Sequence, residues 1–180
     1  MRKVFFSMMV SLDGFIEGPN GQWDLDWHVA DDDFADYVTN MLGSIDAILL
    51  GRVTYQGFAE FWPSSTEAEA PAMNELPKIV FSRTLDKVEW NNSRLVKDDA
   101  AEEVARLKQQ PGKDLAIFSN GLASTLAPHG LIDEYRFFVN PVVLGGGTPL
   151  LKGIKDRIKL KLLKTETFRS GVVVLYYQPA

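Results

Sequence analysis

The sequence predicts a three-layer α/β fold with a mixed, mostly parallel sheet and a C-terminal antiparallel hairpin. Runs of β-branched and aromatic residues alternate with helical apolar spacing along most of the chain, which is typical of parallel strands joined by crossover helices. The last part alternates apolar and polar residues in two runs around a short turn, which predicts the hairpin. A length of 180 residues, of which 46% are hydrophobic and 24% charged, fits a single domain over residues 1–180.

The first part of the chain pairs strands with amphipathic helices. Val4–Val10 is an apolar run that predicts the first strand. Asp31–Asp33 supply an N-cap and first-turn acids for a helix. Its apolar face is formed by residues spaced three and four apart, namely Phe34, Tyr37, Val38, Met41 and Leu42. Asp46–Leu50 predicts a buried strand that ends at Gly51.

The middle of the chain predicts less regular helices. Aromatic spacing favours a helix after Gly51 that Pro63 ends, and this spacing is carried by Tyr55, Phe58 and Trp62. Glu67–Glu75 predicts a weaker helix, broken internally by Pro71. We expect the segment 64–71 to be a mobile surface loop, and Lys78–Ser82 to be a third strand.

Further strand and helix signals follow. Leu95–Val96 predicts a short strand, and Asp99 with Glu102 forms a capping box for a helix through Gln110. Leu115–Phe118 is an apolar strand that leads directly into a turn. The remaining predicted elements are a helix over Leu122–Leu126, a strand over Tyr135–Val139, and a hairpin built from Ile158–Phe168 and Val172–Tyr177.

Composition excludes several classes of function. The chain has no cysteine, which excludes disulfides, thiolate zinc sites, iron–sulfur clusters and a catalytic thiol. His28 and His129 lie far apart, so we expect no metal site. A net charge of −5 opposes broad binding to nucleic acid or an anionic membrane, so the expected partner is a small molecule. No apolar run approaches the roughly 20 residues that span a bilayer, and no cleavage pattern follows the first strand. We therefore expect a cytoplasmic protein.

Candidate ligand-binding residues stand where strands give way to helices, because ligands collect at the carboxyl ends of strands in open α/β sheets. Gly51 permits close backbone approach, and Arg52 and Thr54 have side chains that bind phosphate oxygens. A turn glycine with a solvated arginine is an equally good interpretation. Ser82 and Arg83 fit a phosphate monoester such as the 2′-phosphate of NADP, although a plain polar turn is as common.

The third junction is Ser119–Gly121, where Gly121 allows a sharp turn and the amides of Leu122 and Ala123 would face a diphosphate. It is not a G-x-G-x-x-G fingerprint. The loop Gly145–Gly147 suits either close approach to a cofactor or a flexible connection. No Ser-His-Asp order or G-x-S-x-G elbow is present, which argues against a serine hydrolase.

A lone carboxylate and several aromatic residues are further candidates. Asp13 follows the first strand, where it would bind a ring N–H or hydroxyl of a substrate; alternatively Asp13-Gly14 is an ordinary turn pair. His28 either meets substrate or has no role. Three tryptophans could wall a pocket for a flat ring or simply pack in the core, namely Trp23, Trp27 and Trp62.

Five motifs taken together resemble the dihydrofolate-reductase-like family. They are Ser11–Ile16, Leu49–Tyr55, Val80–Leu85, Gly130–Glu134 and Pro141–Gly147. The resemblance covers nearly the whole chain and is closest to the reductase domain that forms the C-terminal half of the bifunctional deaminase-reductase of riboflavin biosynthesis. It implies NADPH-dependent reduction of a small heterocyclic or pyrimidine-type substrate, as in 5-amino-6-(5-phosphoribosylamino)uracil reductase, and a homodimer.

The same resemblance implies a role for individual residues. Asp13 would act on the substrate as the catalytic residue. The residues implied to bind the cofactor are Gly51, Arg52 and Thr54 at the phosphates, Ser82 and Arg83 at the 2′-phosphate, Ser119, Asn120, Gly121, Leu122 and Ala123 at the pyrophosphate, and Leu144, Gly145 and Gly146 at the nicotinamide.

Two departures from the family pattern stand out. Family members carry a glycine pair or Gly-Ser where this chain has Ser119-Asn120, and Asn120 would have to adopt a turn that glycine makes easily. No deaminase half with its cysteine ligands is present, which favours a stand-alone reductase with a different substrate. The alternative is a non-catalytic nucleotide-binding or sensing module that retains the fold.

Overall fold

An eight-stranded sheet organises the computed structural model, which describes residues 1–180. The strands are β1 (Val4–Ser11), β2 (Phe15–Glu17), β3 (Ile45–Gly51), β4 (Lys78–Phe81), β5 (Ser93–Val96), β6 (Asp114–Ile117), β7 (Glu134–Asn140), β8 (Thr148–Pro149), β9 (Leu160–Thr167) and β10 (Val173–Pro179). The helices are α1 (Asp32–Gly43), α2 (Arg52–Phe61), α3 (Ala70–Glu75), α4 (Ala100–Gln109) and α5 (Asn120–Leu126).

The strand order is β5-β4-β3-β6-β1-β7-β10-β9. The six strands from β5 to β7 run parallel, and β10 is antiparallel to both β7 and β9. This confirms the predicted mixed, mostly parallel sheet with an antiparallel hairpin. A second, two-stranded antiparallel sheet pairs β2 with β8 and was not predicted.

Helices cover both faces of the large sheet, which gives the predicted three layers. β1 alternates between the faces: Val4 and Phe6 belong to a buried cluster that also contains residues of α4 and α5. Phe5 belongs to a second cluster, which contains residues of α1, α2 and α3. The strands of the middle of the sheet are buried on both sides, as continuous apolar runs predict.

The helix starts agree with the sequence in part. The Asp31 carboxylate accepts a hydrogen bond from the Phe34 amide at 2.8 Å, and Asp99 accepts one from the Glu102 amide at 3.0 Å, as predicted for N-caps. No helix is both long and apolar enough to cross a membrane.

Two helix predictions were wrong at their boundaries. The helix expected over Glu67–Glu75 begins at Ala70, and Pro71 lies in its first turn, where no amide hydrogen is needed. The helix expected to begin at Leu122 begins at Asn120, so neither Asn120 nor Gly121 forms a turn with positive φ.

The sheet opens between β1 and β6, which positions the site. β1 pairs with β6 only over Val4–Phe6, opposite Leu115–Ile117. β1 then continues to Ser11 beside β7 alone. Beyond Phe6, one edge of β1 therefore has no strand neighbour, and a crevice opens at the carboxyl end of β6.

Candidate functional site

A cleft of about 740 Å³ occupies this crevice. It is lined by the unpaired edge of β1, by α1 and α2, by the first turn of α5, and by residues around the small β2–β8 sheet. The three junctions singled out in the sequence lie at this same edge, because Gly51 is in register with Phe81 and Leu49 with Ile117. The three junctions thus share one edge of the sheet, as expected, but of their candidate residues only Thr54, Asn120 and Gly121 line the cleft.

The two helices that begin beside the cleft lack side-chain caps. Gly51 occupies the N-cap position of α2 and has no side chain to accept a hydrogen bond. Ser119 occupies that of α5, and its hydroxyl accepts none from its own helix. α1 and α4 differ, since aspartates cap both and acids follow in their first turns. Val53 and Thr54 of α2 and Gly121 of α5 line the cleft. Uncapped first turns present free N–H groups and positive potential to an anion.

Ser119 joins these two junctions to each other. Its hydroxyl accepts a hydrogen bond from the Gly51 amide at 2.8 Å, and the residue is only 2% exposed. The Ala123 amide donates to the Ser119 carbonyl at 3.0 Å. The Gly51 and Ala123 amides are therefore used within the protein, whereas the Ser119 hydroxyl accepts one of these bonds and keeps its own proton to donate. The Leu122 amide forms no bond to the protein and remains free.

Asn120 fastens the wall of the cleft. Its Nδ2 donates to the Pro149 carbonyl at 3.1 Å, and its Oδ1 accepts from the Leu151 amide at 2.8 Å. Asn120, which stands where family members carry glycine, therefore forms no turn. Its side chain holds β8 and the segment that follows it. Asparagine suits this position because its primary amide can pair with a donor and an acceptor of a neighbouring backbone at once.

The junction after β4 is a hydroxyl-capped turn. The Ser82 hydroxyl accepts from the amides of Thr84 at 3.2 Å and Leu85 at 3.1 Å, which matches the polar-turn alternative. Arg83 is exposed and has no hydrogen-bond or ion-pair partner. Arg52, at the start of α2, binds only Gln56 of its own helix, at 3.1 Å. Both guanidinium groups remain available to an anion.

Asp13 holds the glycine loop and does not line the cleft. Its carboxylate accepts from the Leu144 amide at 3.0 Å and the Gly145 amide at 2.7 Å, and the Ser11 hydroxyl donates to it at 2.8 Å. The hydrogen bond from Leu144, then those from Gly145 and Ser11, hold the pKa of Asp13 below its usual value. These contacts make Asp13 a positioning residue for the glycine loop, and its contact with substrate stays a prediction.

The glycine loop meets the protein's own backbone. Gly147 has φ of +128°, and a Cβ there would lie 1.9 Å from the Glu17 carbonyl oxygen. Only glycine fits at this point. The close approach brings β8 against β2, and Glu17 and Thr148 then line the cleft. Gly146 approaches only Pro19.

Sequence reasoning missed most of the apolar lining. The lining on the α1 side comprises Met9, Phe34, Val38, Met41 and Phe138. Of the three tryptophans, only Trp23 lines the cleft. Its ring packs over Gly57, where a Cβ would lie 2.0 Å from it. The helical spacing of α1 revealed an apolar face, but nothing in the sequence indicated that part of this face lies in a cleft.

Comparison with known proteins finds a match to one family model over nearly the whole chain. Residues 2–174 match the family model described as RibD C-terminal domain. The uncharacterised protein YyaP of Bacillus subtilis (strain 168) is 38% identical over 98% of this chain and 94% of its own length. A second protein of that organism, YwjB, is 28% identical over 97% of each chain.

Solved structures share the fold at low sequence identity. A protein of Shewanella sp. PV-4, provisionally named a riboflavin biosynthesis protein, superposes with a TM-score of 0.80 at 22% identity, covering 99% of both chains. The deaminase/5-amino-6-(5-phosphoribosylamino)uracil reductase of Thermotoga maritima gives 0.70 at 16% identity, covering 99% of this chain and 57% of its own. Dihydrofolate reductase from Enterococcus faecalis, solved with NADP(H), gives 0.65 at 14% identity, over 98% of this chain and 96% of its own.

Proposed function

Because the chain belongs to the family of RibD C-terminal domains, we propose that it is an NADPH-dependent reductase acting on a small heterocyclic substrate. The structural neighbours support an oxidoreductase role, since one is named as a uracil reductase and another was solved with NADP(H). These neighbours are at most 16% identical to this chain, so their substrates do not identify its own.

The observation that carries the proposal is the pair of uncapped helix starts beside one cleft. α2 and α5 begin on neighbouring strands that the Ser119–Gly51 hydrogen bond ties together. Free N–H groups at both starts suit the diphosphate of a dinucleotide. Aspartates occupy the same positions in α1 and α4, so a ligand anion is the natural partner for the two uncapped helices that begin beside the cleft.

The residues present fit a nicotinamide dinucleotide. The first turn of α2, the free amide of Leu122 and the Thr54 side chain would hold the phosphates, and the unpaired Arg83 would meet a 2′-phosphate. Lys152 lines the cleft and would add a cation near the phosphates. Such a cofactor supplies a hydride to the substrate. The protein's part is to orient the two molecules and exclude water within the apolar half of the cleft.

Direct binding tests the proposal. NADPH and NADH are titrated separately into the protein, and nicotinamide fluorescence reports binding; we expect NADPH to bind more tightly. No binding of either at millimolar concentration would contradict a dinucleotide site. Arg157→Ala, at an exposed arginine outside the cleft, serves as the matched control for any arginine variant.

A nucleotide-sensing module without turnover is the second candidate. It is favoured by one observation: Asp13, the expected acid, is engaged by two backbone amides and is not among the residues that line the cleft. Oxidation of NADPH with a panel of pterins and pyrimidines separates the two candidates. Binding without oxidation across the panel would support the sensing module.

A further inference from the structure

His28 carries an unsatisfied buried atom at the cleft. Three buried side-chain atoms in the protein lack a hydrogen-bond partner, namely His28 Nε2, Trp62 Nε1 and Ser93 Oγ. Of the three residues, only His28 lines the cleft. Buried polar atoms are almost always paired in folded proteins, so an exception beside a cleft suggests that a ligand completes the pairing.

The His28 segment is fixed on both sides. The Trp27 indole donates to the Asp24 carbonyl at 2.8 Å, and the His28 amide donates to the Leu25 carbonyl at 3.1 Å. On the other side, the Val29 amide donates at 2.9 Å to the side chain of Asn140, which is fully buried. The backbone at His28 is therefore held in place before any ligand arrives, and the imidazole packs edge-on against the Trp27 ring, with the ring centroids 4.4 Å apart.

The His28 imidazole brings no charge to the cleft. Burial lowers the pKa of His28 to about 4, so the imidazole is neutral near pH 7. The next residue, Val29, packs in the same apolar cluster as Met9, Phe34 and Phe138, which also line the cleft. A phosphate buried among these groups would lose its hydration without gaining a counter-ion.

The lining contains one acidic and one basic side chain. Glu17 accepts the Trp23 amide at 2.7 Å, in the segment that also carries His28, and a carboxylate gives a phosphate no counter-ion. Lys152 follows Leu151, whose amide is bound by Asn120 in the first turn of α5. These are the only two residues of the lining that are charged near neutral pH, and Lys152 lies on the side assigned to the cofactor phosphates.

We infer that the α1 end of the cleft binds an uncharged planar ring through a hydrogen bond to His28, and does not accept a phosphorylated substrate. The inference rests on the proposed reductase function and narrows its substrate class. An imidazole both donates and accepts, so it pairs with a ring amide or ring nitrogen, while the apolar walls contact the ring faces.

A matched pair of compounds tests the charge requirement. The full-length protein saturated with NADP⁺ is titrated by calorimetry with 5-amino-6-(5-phosphoribosylamino)uracil and its dephosphorylated form, and with the uncharged rings pteridine-2,4-dione and quinoxalin-2-one. We expect at least one uncharged compound to bind. Of the matched pair, we expect the compound without the phosphate group to bind more tightly than the phosphorylated one. Tighter binding of the phosphate, or no binding of any uncharged compound, would overturn the inference.

Variants test the contact itself. We expect His28→Ala to weaken binding of the uncharged ring by about tenfold, the effect of losing one hydrogen bond, and His28→Asn to restore part of it. His129→Ala, at the only other histidine and an exposed one, should leave it unchanged. An unaltered ring affinity in His28→Ala overturns the inference.

Cofactor binding tests the proposed reductase function separately from the inference about His28. NADPH affinity is measured for each protein, and failure of the wild-type protein to bind NADPH would contradict the proposed function and the inference together. Normal NADPH binding with no effect at His28 would contradict the inference alone. The ring nitrogens of the two histidines also give separate NMR signals, and we expect only that of His28 to move when a ring binds.

Discussion

The candidate cofactor-binding side chains differ in whether the protein already uses them, and the Arg83 guanidinium has no partner within the protein. If its guanidinium meets a 2′-phosphate, Arg83→Ala removes a charge-assisted hydrogen bond worth roughly 1.5–3 kcal/mol. We expect NADPH affinity to fall by about tenfold or more, with little change for NADH. Titration of both dinucleotides measures this, with Arg157→Ala as control. Equal losses for the two would remove Arg83 from that role.

Asp13 is the opposite case, because its carboxylate accepts three hydrogen bonds from the protein. Asp13→Asn places an amide donor against the Leu144 and Gly145 amides, so we expect a lower melting temperature at neutral pH. The folded-state pKa of Asp13 is depressed, so its stabilisation is present above the ordinary value of 3.8 and is lost as pH falls through the folded-state pKa.

The difference in melting temperature between Asp13→Asn and wild type should therefore shrink in acid. Thermal unfolding followed by circular dichroism from neutral pH to below 3.8 checks this. Asp98→Asn, at an exposed aspartate, is the control and should show no such pH dependence. A difference that stays constant across the range would mean that ionised Asp13 does not hold the loop.

Residue types at the site were predictable from the sequence, but their partners were not. Asn120 binds a carbonyl 29 residues away, and Asp13 binds amides 131 and 132 residues away. Local patterns do not encode such pairings, so a side chain expected to meet a ligand and one that holds a loop look alike in the sequence. The orphaned Nε2 of His28 is visible only once the packing is known.

Among the secondary-structure elements, the coupled starts of α2 and α5 are the most sensitive to change. Ser119→Ala leaves the Gly51 amide without an acceptor, which costs about 1–3 kcal/mol. We expect lower stability towards denaturant and weaker NADPH binding, because the two helix starts lose their connection. Ser64→Ala, at an exposed serine, should change neither. Unchanged stability in Ser119→Ala would show that the hydrogen bond contributes nothing.

Long elements with clear periodicity were predicted well, and short ones were not. The apolar spacing of α1 and its Asp31 cap located that helix, and the alternation near the end of the chain located the hairpin. The β2–β8 sheet escaped because its strands have 3 and 2 residues, too few to show alternation. Its pairing depends on the close approach at Gly147, which only the folded chain reveals.

For the molecule as a whole, the outer strand of the hairpin is an open edge. β9 ends the sheet, and its Leu162 and Leu163 are 49% and 46% exposed. An uncovered apolar edge strand favours pairing with a second copy. We expect a homodimer by light scattering at micromolar concentration, and a monomer for Leu162→Lys. Val143→Lys, at an apolar residue 67% exposed elsewhere, should stay dimeric. A monomeric wild-type protein would contradict this prediction.

The fold class followed from the alternation of strand and helix signals, whereas the order of strands in the sheet did not. Local apolar patterns say that a strand is buried, but not which neighbours it has. The separation of β1 from β6 after Phe6 depends on their different lengths and on the pairing of β1 with β7. The cleft is a product of that order, so it could be anticipated only as an edge where ligands gather.

The anchors Asp13, Asn140 and Gly147 keep the walls of the cleft in place, yet none of the three belongs to the lining. The side chains that would contact a ligand are therefore largely different from those that hold the walls of the cleft. Substitutions in the lining can therefore change which substrate is bound at small cost in stability. Relatives with this fold need not share a substrate.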